Sequence, residues 1–187
     1  MQGITVEQLK NTRPEPVSGS FTQFLDEPFY KIANYDAMPA FFMTIVSASD
    51  VWNYLWSNGG VTAGRINSDH ALFPYYTADK GSDARGCSGP YTAIKIPENG
   101  KTQFWEPLSE AANGLWKVER NIYKNASGSK VYFEEINRDL ALTFQYGWTS
   151  SDRFGLVRHI RVVNDGSAAR KISVLDGCRN ILPACIT

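Results

Sequence analysis

The chain of 187 residues balances 19 Lys and Arg against 19 Asp and Glu, a formal net charge of zero. That excludes the electrostatic footprint of a nucleic-acid partner or an anionic membrane surface, and no stretch approaches the ~20 apolar residues of a membrane span. Three cysteines, Cys87, Cys178 and Cys185, form neither an even disulfide set nor a CxxC metal pattern, which suits a reducing cytoplasm. Met1 to Lys10 lacks the apolar run of a signal peptide.

In chain order, residues 1–39 read as an N-terminal extended or short-helix segment. Thr5 can cap one turn over Val6–Asn11 before Pro14 and Pro16 stop it. From residue 40 to residue 187 the pattern is that of one β-sandwich. Ala40–Ser47 and Asp50–Trp56 predict a hairpin turning at Ala48–Asp50. Gly59–Gly100 is long, Gly-rich and weakly periodic, the kind of stretch that is functional or packs against another body. Ser109–Trp116 suggests a short helical turn.

Beyond Trp116 the residues alternate with period two. Trp116, Val118, Arg120 and Ile122 alternate with Lys117, Glu119 and Asn121, and Leu140, Leu142, Phe144 and Tyr146 with Ala141, Thr143 and Gln145. Leu156, Arg158, Ile160 and Val162 repeat the theme, as does Lys171–Asp176. This is the mark of strands with two distinct faces. The intervening Asn125–Ser129, Asn137–Asp139, Thr149–Asp152 and Asn164–Ala168 are short turn-formers, so the strands are antiparallel neighbours. Residues 116–176 therefore predict a five-strand meander in an all-β, antiparallel sandwich. Ile181 and Leu182 are core-type residues close to Thr187, which reads as the front part of a larger protein.

Chemistry-bearing motifs are sparse. No GxSxG, GxGxxG or Walker sequence occurs, so no cofactor is expected. His70 and His159 stand far apart, and with the scattered cysteines they make no metal set. Glu134 and Glu135 are adjacent on a strand and point to opposite faces, so they do not act as a catalytic pair. Cys87, in a Gly-rich setting, has no neighbouring base. Asn125-Ala126-Ser127 is a glycosylation sequon with meaning only in a secretory pathway. The densest polar segment is Trp56–Lys80, where Gly59, Gly60 and Gly64 precede Arg65, Asn67, Asp69, His70, Tyr75 and Tyr76. Glycines permit close backbone approach, the polar groups give directional hydrogen bonds, and the tyrosines offer faces to a sugar or a neighbouring domain. The bland alternative is an ordered loop in which Arg65 and Asp69 satisfy each other.

Gly59–Lys80, GGVTAGRINSDHALFPYYTADK, resembles the N-terminal region of bacterial cellobiose phosphorylase-like proteins, the glycoside hydrolase family 94-like group. Leu156–Ala184 resembles the same proteins, with a strand, an Asn-x-Gly turn and a strand leading into the DG-x-x-N-I-L-P stretch Asp176–Pro183. Val61, Ser68 and Cys178 depart from the pattern, where Leu, Pro and Leu are usual. The resemblance implies an incomplete, galactose-mutarotase-like β super-sandwich standing ahead of an (α/α)6 catalytic barrel. It also implies that catalytic residues lie in that barrel and none in this chain. The implied partners are an oligosaccharide, the C-terminal catalytic domain and a second copy of the protein. The implied role is a non-catalytic, carbohydrate-associated domain, with Arg65, Asn67, Asp69, His70, Tyr75 and Tyr76 facing substrate or the catalytic domain.

Two other readings compete. A free-standing carbohydrate-binding module needs exposed rings on one face, drawn from Trp52, Trp56, Tyr75, Tyr76 and Trp148. A mutarotase-like enzyme needs a general acid and base, yet no Glu follows Glu135.

Overall fold

The computed structural model describes residues 15–77, 79–98 and 100–182. The helical turn expected over Val6–Asn11 and the residues from Pro183 onward lie outside them. Strands dominate, joined by single 3-10 turns, one of them at Glu110–Ala112 where a helical turn was expected. Among the described residues no helix is long and apolar enough to cross a membrane.

Among the described residues twelve strands follow in order: β1 (Ser18–Phe24), β2 (Glu27–Ala33), β3 (Phe42–Thr44), β4 (Val51–Trp56), β5 (Val61–Arg65), β6 (Gly89–Glu98), β7 (Lys101–Trp105), β8 (Val118–Asn125), β9 (Lys130–Asn137), β10 (Leu142–Ser151), β11 (Gly155–Asn164) and β12 (Ser173–Arg179). They form a six-stranded sheet ordered β1-β2-β8-β9-β10-β11 and two three-stranded sheets, β12-β6-β7 and β3-β4-β5. Every pairing is antiparallel, as the alternation and short turns require.

One core joins the three sheets. Ile122, Phe133, Leu142, Phe144, Tyr146 and Trp148 share the inner face of the large sheet, because Ile122 lies opposite Phe133 and Phe133 opposite Tyr146. Leu55, Val61 and Ala63 from one small sheet, and Ile94, Ile96 and Trp105 from the other, pack against them. The period-two residues of the sequence are thus the inner set, and the molecule is an all-β sandwich.

Three local readings differ from the structure. Residues 18–33 are not merely a leading segment: β1 and β2 form a hairpin that pairs with β8 and widens the large sheet. The weakly periodic stretch from Gly59 holds β5 and β6, whose small and buried residues hide the alternation. The expected fifth strand of the meander, β12, leaves the large sheet and pairs with β6, Ser173 opposite Lys95 and Arg179 opposite Gly89. The linker is anchored on both layers, since Arg170 donates to the Leu140 carbonyl and pairs with Glu98 at 3.0 Å.

Candidate functional site

A cleft of about 550 Å³ opens between the layers, a size that suits a small-molecule site of ~300–1,000 Å³. Its floor is the inner face of the large sheet. Phe133 and Tyr146 stack there at 4.8 Å, and Tyr35 meets Phe133 edge-on at 6.2 Å. The walls are Tyr91 and Thr92 of β6, Glu106–Asn113 after β7, the β4–β5 turn Ser57–Gly59, and Arg179 of β12. The turn closes tightly because Gly59 takes φ 89°, a left-handed value natural to glycine.

Arginines occupy inward strand positions around this floor. Arg120 donates through Nε to Glu135 at 2.8 Å and through Nη2 to the Ser109 carbonyl at 3.0 Å. Glu135 also accepts from Trp105 Nε1 and the Leu108 amide, each at 2.7 Å. Arg158 pairs with Asp176, which also accepts from Thr92 at 2.5 Å, and its guanidinium lies 5.1 Å from the Tyr146 ring centre. Arg179 sits 4.5 Å over the Tyr91 ring, a cation–π contact. The Tyr91 hydroxyl donates to Glu106 at 3.0 Å, which raises the Tyr91 pKa by favouring its protonated form. Arg85 and Glu110 pair at the mouth.

Arg120, Arg158 and Arg85 each have a carboxylate partner, Arg179 lies over the Tyr91 ring without an ion pair among the described residues, and the lining offers both donors and acceptors. The phenols of Tyr35 and Tyr146 line the floor, and no described residue hydrogen-bonds either hydroxyl; burial raises both pKa values, so both are protonated donors at neutral pH. Such a lining suits a ligand that is uncharged, hydroxylated and partly apolar.

None of the six residues singled out in the sequence lines this cleft. They lie along the outer side of β5 instead. Arg65 pairs with Asp50, not Asp69, at 2.7 Å, and this hydrogen-bonded contact lowers the Asp50 pKa. Asn67 organises the loop: its Oδ1 accepts from the Asp69 amide at 3.1 Å and lies 2.8 Å from His70 Nδ1. Its carbonyl accepts from Trp52 Nε1 at 3.3 Å. Tyr75 stands edge-on to Trp52 at 5.8 Å, and Tyr76 is half-exposed. Asn67 and Tyr75 thus converge on Trp52, while Arg65, Asp69 and His70 are exposed around them. Between them Ile66 adopts φ 60°, a conformation that strains a β-branched residue. Of the rings considered for one binding face, Trp56 and Trp148 are buried in the protein.

The cleft residues escape a linear reading because they come from distant strands. One signal was present: Arg120 and Arg158 each interrupt an apolar inward series, where a charge is tolerated only with a partner. Among the other candidates, Asn125 is buried and its Nδ2 donates to Ser127 Oγ at 2.9 Å, so the sequon asparagine is engaged in its own turn. Cys87 and Cys178 are free thiols. No protein-family model and no curated protein matches the chain.

Proposed function

We propose that this chain is a non-catalytic, carbohydrate-associated β-sandwich that supports the catalytic barrel of a cytoplasmic glycoside phosphorylase- or hydrolase-like protein. The observation that carries the reading is the cleft. An aromatic floor with two phenols that no described residue hydrogen-bonds, ringed by arginines of which Arg120, Arg158 and Arg85 are paired with carboxylates, suits a neutral sugar better than a purely apolar ligand. The barrel and a second copy rest on the sequence resemblance, and the cytoplasm on the cysteine pattern, with the free thiols of Cys87 and Cys178 compatible with a reducing compartment. A free-standing carbohydrate-binding module is the second reading, favoured by the convergence of exposed Tyr75 on partly exposed Trp52.

The test is an NMR titration of the chain with mono-, di- and trisaccharides. Sugar-dependent shifts are expected at Tyr35, Tyr91 and Tyr146, with no turnover of the sugar. They should weaken in Tyr146→Phe and Arg179→Ala. Absence of any sugar-dependent shift across the panel overturns the cleft reading.

A further inference from the structure

The outward face of the β3-β4-β5 sheet carries a row of aromatic rings away from the cleft. Alternation along β4 sends Val51, Asn53 and Leu55 inward and leaves Trp52 and Tyr54 facing out. Phe42, on β3, lies with its ring centre 5.7 Å from Tyr54; Tyr54 lies 5.6 Å from Trp52, and Trp52 lies 5.8 Å from Tyr75. The first two steps have interplanar angles of 37° and 31°, so Tyr54 is tilted moderately, not edge-on, to both Phe42 and Trp52. Tyr75 stands at 80° to Trp52 and ends the row.

Two features hold Trp52 in place. The residue beside it on β5 is Gly64, where a Cβ would come within 2.6 Å of the indole. The indole N–H is tied to the Asn67 carbonyl at 3.3 Å. Phe42 and Tyr75 are 44% and 52% exposed, and Trp52 and Tyr54 are partly so. Such preorganised rings offer contact area at low entropic cost.

Charge and area decide between occupants. The row itself contains no acid or base other than its phenols; of the charges beside it Arg65 and Asp50 neutralise each other at 2.7 Å, and exposed Asp69 of the adjoining loop adds a negative one. An anionic partner finds no complement there. Four partly exposed rings offer on the order of 300–400 Å², about half of the ~800 Å² that each side of a stable protein interface buries. We propose that the row from Phe42 to Tyr75 is a contact surface for an uncharged glycan chain, whose C–H faces stack on successive rings. This extends the carbohydrate reading to a second surface and uses none of the cleft's residues.

Affinity electrophoresis in gels containing a neutral β-glucan, a xylan or a mannan tests it, with size-exclusion chromatography of the same samples. At least one polysaccharide should retard the chain. Tyr75→Ala, which removes an exposed side chain, and Trp52→Ala should each weaken that retardation by roughly tenfold. Tyr146→Phe and Arg179→Ala should leave it intact. The proposal is overturned if no polysaccharide retards the chain or if Tyr75→Ala is retarded like the parent. It is equally overturned if the chain forms a concentration-dependent dimer that both ring variants abolish, because the row is then a protein interface. Loss of short-sugar shifts with retardation intact counts against the cleft alone, and the reverse counts against the row alone.

Discussion

Glu135 is the polar hinge of the core. It is 1% exposed and binds an indole, a backbone amide and a guanidinium from three separate segments. Breaking such a pair leaves a buried charge without a partner, at a cost of ~3–5 kcal/mol. Glu135→Ala should lose about that much in urea unfolding, and the double variant Arg120→Met, Glu135→Leu should recover most of it; a small loss in the single variant contradicts the account. Its neighbour Glu134 serves the opposite face, accepting from Asn121 at 2.9 Å, Tyr123 at 2.7 Å and Gln145 at 2.5 Å. That the two carboxylates face apart was legible from their adjacency. That both are buried was not, because their partners lie on other strands and register must be known first.

At the scale of elements, what could be read depended on turn chemistry. The β8–β11 meander was legible because alternating strands were separated by Asn, Gly, Ser and Asp. The β1–β2 hairpin was not. Its two-residue turn is Leu25-Asp26, both in the left-handed region at φ 50° and 64°. Hairpins of this kind ordinarily signal themselves with Asn-Gly. Packing overrides the poor turn: Phe24 stacks on Tyr123 at 4.2 Å and meets Phe29 and Tyr132 edge-on. Replacing Leu25-Asp26 by Asn-Gly should therefore stabilise the protein by about 1–2 kcal/mol, read as a higher unfolding midpoint. Unchanged or lowered stability shows that the turn is not strained. The loop at Asn67 illustrates the same limit, since its polar residues were evident but the ion pair of Arg65 with Asp50 required the β4–β5 register.

For the whole molecule, the large sheet is clothed by rings on both faces. Tyr35 and Tyr146 lie on the core side and Tyr123 on the other, and burial raises all three above the ordinary value of 10.0, helped at Tyr123 by the Glu134 carboxylate. A pKa raised in the folded state means that the unfolded chain loses these protons first. Stability from them is complete below pH 10 and is lost as pH rises beyond it. The protein should unfold cooperatively in alkali, with these phenols ionising only in that transition, as followed by tyrosinate absorbance and circular dichroism. Tyr146→Phe should make stability less steeply dependent on pH above 10; gradual ionisation of all nine tyrosines before unfolding contradicts the prediction.

The pairing of β12 with β6 also sets a timetable. Lys95 waits for Ser173, which is 78 residues later in the chain (173 minus 95). At ~5–20 residues per second on a ribosome, one edge of β6 stays unsatisfied for on the order of ten seconds after it is made. Until then the β6–β7 hairpin holds Ile94, Ile96 and Trp105 without the strand that completes its sheet. Newly made chains are therefore most prone to wrong strand pairing in that interval, before β12 reaches β6.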